Sequence, residues 1–160
     1  MSPAARRLLA RALPLLHSVR KAWWRIARPQ TTGARAVVFD EDGRLVLVRH
    51  GYERGLYLSG GGVKRGEAPE AALLRELAEE IGVTAWSSIT PFAAYRSERE
   101  GKRDTIHLFV VRGAVLATSA SAEIVEIVRC DPAVLPDDLS PATRRRLTEV
   151  LGGGPVAEAW

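Results

Sequence analysis

Three glutamates, Glu76, Glu79 and Glu80, stand at positions i, i+3 and i+4 of the run Pro69–Ile81. If that run is helical, the spacing stacks three carboxylates on one face about one turn apart. Such acidic faces are most often solvated, and like charges at this spacing cost an isolated helix a few tenths of a kcal/mol per pair. A hard cation between the carboxylates removes the repulsion. Oxygen-only donors favour Mg²⁺ or Mn²⁺ over zinc, and two or three carboxylates with retained waters suit magnesium beside phosphates. Arg75 precedes the cluster and can hold a glutamate through a charge-assisted bond. Upstream, Gly60, Gly61 and Gly62 let backbone approach a ligand closely, and their carbonyls can join a metal shell.

The elements around this cluster can be read from periodicity. Pro69–Ile81 has Pro in its first turn and Gly82 just past its end, as a capped helix requires. Its Leu73, Leu74, Leu77, Ala78 and Ile81 form an apolar face for packing on a sheet. Ala34–Asp40 and Leu45–His50 are strand-like runs around Asp42-Gly43, a hairpin signal. Leu56–Leu58, Ile89–Arg96, Thr105–Val111 and Ile124–Cys130 are further expected strands. Gly60–Gly66 is expected as a loop, and Ser97–Asp104 as a mobile charged one. Ser140-Pro141 should cap a last helix, Ala142–Leu151, stopped by Gly152-Gly153-Gly154. Strands with hairpin signals around two helices predict an α+β domain, a mixed sheet packed by helices.

The segment Gly61–Val83 resembles the Nudix box, G-x5-E-x7-R-E-U-x-E-E-x-G-U with U aliphatic. Gly61, Glu67, Arg75, Glu76, Leu77, Glu79, Glu80, Gly82 and Val83 match every defined position. The seven fixed residues would coincide by chance on the order of 10⁻⁸ per start point. Ser59 stands where the family often has Pro. With the strand order, the likeness covers about residues 33–151.

The resemblance implies an α/β/α sandwich with a mixed β-sheet. It also implies a Mg²⁺-dependent pyrophosphohydrolase, with Mn²⁺ as substitute, acting on a nucleoside diphosphate linked to another moiety. ADP-ribose, other nucleotide sugars, nucleoside triphosphates and dinucleoside polyphosphates all qualify. By position, Glu79 and Glu80 are implied as principal metal ligands. Glu76 is implied as a further ligand or the group that activates water, with the Gly60 or Gly61 carbonyl completing the shell. Arg75 and Glu67 are implied as the pair that orients the glutamates. A carboxylate outside the box often joins such sites; Glu123 and Glu126 are the first candidates here, with Glu98 and Glu100 behind them. The competing reading is a nucleotide-binding module on the same fold without turnover.

Other residues carry less. Arg49, His50, Arg54 and Tyr57 precede the box and are candidates to face phosphates or base, against a solvated rim. His107 alternates with apolar neighbours and reads as a sheet residue. Arg144–Arg146 read as a solvated helix face, and Cys130 as a small buried residue. A single cysteine excludes an intrachain disulfide and a cysteine zinc cluster.

The formal net charge of +4 hides an asymmetry. Eight of the 23 basic side chains lie in residues 1–35, which hold no carboxylate; residues 36–160 carry 15 basic and 19 acidic side chains. The domain is acidic and the head is basic, so nucleic acid is not the expected partner. Leu8, Ala12, Leu15, Leu16, Val19, Trp23 and Ile26 recur at helical spacing, with Pro14 as a kink. An amphipathic helix in residues 1–30 is expected, ahead of a domain at 33–152 and a tail at 153–160. Residues 5–28 suit peripheral contact with a membrane surface, or packing on a second subunit as a homodimer. A transit peptide is the lesser alternative. Cytoplasmic location, with or without membrane contact, fits this reading.

Overall fold

A computed structural model of the chain describes residues 30–51, 54–99, 102–117 and 124–160. The expected N-terminal helix, with its membrane and dimer readings, lies outside these residues. Seven strands form one mixed sheet: β1 Gln30–Asp40, β2 Leu45–His50, β3 Ser59–Gly62, β4 Val83–Ala85, β5 Ser88–Arg99, β6 Lys102–Leu116 and β7 Ile124–Cys130. Among the described residues two helices accompany it, α1 Pro69–Ile81 and α2 Pro141–Gly152.

The sheet follows the order β4-β6-β1-β2-β7, with β3 added to β1 and β5 to β6. β1 and β6 are parallel; the other pairs are antiparallel. β1 therefore organises the site. One edge runs along β6, while the other is shared by β3 at Gly33–Ala36 and β2 at Val38–Phe39.

Alternation along the strands sorts the core into two layers. Ala34, Ala36, Val38, Val46 and Val48 face Leu73, Leu77 and Ile81 of α1. Val37, Phe39, Leu45 and Leu47 face Leu139 and Leu147 at α2. Each fully buried Leu or Ile on α1 contributes roughly 1.5–3 kcal/mol. Their stripe fixes the rotation of the helix and hence the direction of its glutamates.

Local signals behave as their chemistry dictates. Gly82 takes the left-handed conformation at φ 67° and its N–H bonds Leu77 O, closing α1. Asp40 Oδ1 accepts from the N–H groups of Asp42 and Arg44, shaping the β1–β2 hairpin. Ser140 Oγ accepts from Thr143 N and caps α2.

Four expectations are corrected. Ser59–Gly62 is a strand, because the free edge of β1 pairs with it despite its glycines. β1 begins at Gln30, ahead of the expected strand start at Ala34. The charged segment at 97–104 is largely the two legs of the β5–β6 hairpin, since Ser97 pairs Asp104 and Arg99 pairs Lys102. Arg146 is fully buried, not solvated. Among the described residues, no helix is long and apolar enough to cross a membrane.

Candidate active site

α1 carries the carboxylates and β3 supplies the surface they meet. Arg75 is the hub between them. Its Nε donates to Glu67 Oε1 at 2.9 Å and its Nη2 to Glu67 Oε2 at 3.0 Å, a bidentate grip. Nη1 donates to Glu76 Oε1 at 2.6 Å and lies 3.6 Å from Glu79 Oε2; Nη2 also donates to Gly62 O. One guanidinium thus links the loop before α1, the helix face and β3.

This grip holds the Glu67 carboxyl down at about 2, chiefly through the Arg75 hydrogen bonds and then through Lys64 N–H. The same carboxylates raise Arg75 further above its ordinary value. Both groups are thereby held in their charged forms, which suits the pair to bracing the loop before α1 against the helix.

The three box glutamates share a face of α1 but go to different places. Glu76 folds back onto β3; a Cβ on Gly61 would overlap its carboxylate. Any side chain at position 61 must therefore displace the Glu76 carboxylate. Glu80 Oε2 accepts from Ser59 Oγ at 2.6 Å and from Gly60 N at 2.9 Å. The Glu79 side chain is 61% exposed. Among the described residues, no three His, Cys, Asp or Glu side chains gather closely enough to form a ready metal cage. The donor chemistry nonetheless fits a hard divalent cation. Glu76 and Glu80 both reach the glycine backbone of β3, Glu79 is reachable from solvent, and every donor is oxygen.

The other candidates are placed differently. Arg49 pairs with Glu126 and Asp138, at 2.8 and 2.9 Å. Glu126 is thereby engaged by Arg49 in the β2–β7 register, in phase with Val128 and Cys130 on the α2 side. Glu123 and Glu100 lie outside the described residues, and Glu98 falls in β5. His50 packs against Tyr57 at 5.6 Å between ring centroids. His107 sits in β6 opposite Ala34 and Ala94. Cys130 is half-buried, and burial pushes its thiol up.

Arg54 and Tyr57 line a cavity of about 560 Å³ on the α2 side, together with Arg35, Leu58, Thr143 and Trp160. Leu58 lines the cavity, and the next residue, Ser59, holds Glu80. Sequence reasoning missed Ser59, Arg35 and Trp160. Arg35 had a signal, as the charged residue inside the apolar run Ala34–Phe39. Trp160 had none, because only the path of residues 153–160 brings it there.

Comparison with known proteins agrees with this geometry. The model of the NUDIX domain matches residues 29–151. The chain is 28% identical over 127 residues to the nucleoside triphosphatase NudI of Escherichia coli O17:K52:H18, covering 69% of this chain and 89% of that one. Its fold is similar to that of a MutT NUDIX hydrolase from Burkholderia pseudomallei, with a TM-score of 0.64 at 22% identity over 76% of this chain and 98% of the other. A bifunctional NMN adenylyltransferase/ADP ribose pyrophosphatase from Francisella tularensis shares it too. There the TM-score is 0.61 at 14% identity, over 84% of this chain and 46% of that one. With its box, its sheet and its family match in agreement, this chain belongs to the Nudix family and is a hydrolase of the pyrophosphohydrolase type.

Proposed function

We propose that the protein hydrolyses a phosphoanhydride bond in a nucleoside diphosphate derivative with Mg²⁺ as its cofactor. The observation that carries this reading is the convergence of Glu76 and Glu80 on the glycine backbone of β3, braced by Arg75. A nucleoside triphosphate is the favoured substrate class. The similar Escherichia coli protein is named a nucleoside triphosphatase, and the chain covers 89% of it.

Glu80, Glu79 and Glu76 would hold the cation, with the Gly61 carbonyl beside them. When bound, a divalent cation neutralises the diphosphate, polarises a phosphoryl oxygen and lowers the pKa of the attacking water. The chain's own part is positioning. Ser59 and the Gly60 N–H fix one oxygen of Glu80 and leave the other for coordination. Arg75 fixes Glu76 and bears on exposed Glu79. The 560 Å³ cavity is of the size that takes a small organic moiety, so it suits the part of the substrate beyond the phosphates.

The test is hydrolysis of a panel of nucleoside triphosphates, ADP-ribose and other nucleotide sugars with Mg²⁺ and after chelation. Turnover of at least one member that stops on chelation is expected. Glu80→Gln should stay folded and lose roughly a hundredfold or more in kcat. A nucleotide that stabilises the protein thermally without ever being hydrolysed would overturn the reading in favour of a binding module.

A further inference from the structure

Residues 157–160 are tied to the domain by polar contacts that the reaction does not use. Arg96 N donates to Glu158 O and Trp160 N to Arg96 O, each at 2.9 Å, so the segment meets β5 through a single parallel bridge between Arg96 and Ala159. Arg145 Nη2 donates to Trp160 O at 3.0 Å. The fully buried Arg146 is the centre of the attachment. Its Nη1 donates to Ala159 O at 2.9 Å and its Nη2 to Glu149 Oε1 at 2.8 Å. Glu149 Oε1 also accepts from Ala157 N, and Glu149 Oε2 from Tyr95 Oη. The guanidinium sits 4.0 Å above the Tyr95 ring and 5.5 Å from the Trp160 ring, while those two rings meet edge-on at 5.5 Å.

The effect of this clasp is to hold a half-buried indole at one wall of the cavity. The rest of that cavity offers Arg35, Arg54 and Tyr57 near the N-terminus of α2. Aromatic surface together with guanidinium groups suits a planar heterocycle joined to an anionic chain. A tryptophan whose backbone is already tied to β5 and α2 loses little freedom when a ring packs on it, so its contact goes into binding.

We propose that Trp160 is a specificity-determining residue that contacts the nucleobase of the substrate, and that the Arg146–Glu149 clasp is its positioning device. The proposal rests on the nucleotide-hydrolase reading above. It goes further in assigning base recognition to a segment that follows the last helix and lies outside the family match at 29–151.

Two measurements on the full chain test it. The first is kcat and KM for the best nucleoside triphosphate with Mg²⁺. The second is calorimetric binding of AMP, GMP, CMP and UMP with metal chelated. Trp160→Ala should raise KM and the monophosphate Kd roughly tenfold, with kcat within about twofold, as loss of one stacked base implies. Trp160→Phe should recover most of both. Ala142→Leu narrows the same cavity from α2 and should raise KM and Kd in the same way; it serves if Trp160→Ala does not fold. Unchanged KM and Kd in a folded Trp160→Ala, or in Ala142→Leu, overturn the proposal. So does a loss confined to kcat. A parent that hydrolyses nothing but binds a monophosphate through Trp160 sinks the hydrolase reading and supports this one. A parent that does neither sinks both.

Discussion

The Ser59 hydroxyl donates a 2.6 Å hydrogen bond to Glu80 Oε2, joining β3 to the carboxylate face of α1. A proline, common at this position in the family the chain resembles, has no such donor. Ser59→Ala should therefore weaken the metal site without unfolding the protein. A hydrogen bond to a charged group is worth about 1.5–3 kcal/mol, and every 1.4 kcal/mol is tenfold in an equilibrium constant. Gly60 N–H still holds the same oxygen, so the lower end applies. The Mg²⁺ concentration for half-maximal hydrolysis should rise roughly tenfold, with the melting temperature nearly unchanged. An identical Mg²⁺ titration would show that the hydroxyl does not orient Glu80.

Gly61→Ala should be more damaging. The added methyl group falls on the Glu76 carboxylate, which must leave its place against β3 and lengthen its 2.6 Å bond to Arg75. Nothing else need move, because Gly61 lies in a strand and its φ is not in the left-handed region. We expect kcat to fall roughly a hundredfold while the fold survives, since misplacement by about 1 Å is enough for such a loss. Turnover and thermal unfolding of the same preparation check this. Retained kcat would mean that Glu76 acts from another position.

The Glu67–Arg75 grip has a pH signature. The Glu67 carboxyl is depressed from 4.5 to about 2. Such a group stabilises the fold fully above the unfolded value, and this contribution disappears as pH falls through the folded one. Thermal unfolding of the parent and of Glu67→Gln should therefore differ by a constant margin above about pH 5. The gap should close between about pH 4.5 and 2. A gap that is still constant at pH 2 would show that the ion pair is not its source.

Particular residues show how far the sequence could be read. Helix α1 was legible to the residue, because Pro69, the apolar stripe and Gly82 each give the same answer. β7 and the turn at Asp42-Gly43 were equally plain. β3 was not, since Ser59–Gly62 has poor strand propensity and becomes a strand only because β1 has an unpaired edge beside it. The box gave the carboxylates but not their destinations: spacing places Glu76, Glu79 and Glu80 on one face, and only packing sends one inward, one outward and one onto Ser59. Arg146 was misread for a related reason. A run of three arginines looks solvated, although Glu149 one turn later was a visible partner for the one that is buried.

That buried pair yields the last expectation. Arg146 is 0% exposed, and Glu149 faces it, Tyr95 Oη and Ala157 N together. Burial and the neighbouring carboxylate push the Tyr95 phenol well above its ordinary range, so it remains a donor to Glu149. Arg146→Met removes the cation and leaves Glu149 buried without its charge partner, a change that costs about 3–5 kcal/mol. For a domain of this size that corresponds to a fall of roughly ten degrees in melting temperature. Adding Glu149→Gln removes the stranded charge while keeping an acceptor for Tyr95. The double variant should therefore recover part of the loss, but it cannot restore the bond to Ala159 O that places Trp160. Thermal unfolding of the two variants beside the parent reads this directly. If Arg146→Met melts within a degree or two of the parent, the pair does not hold the segment to the domain.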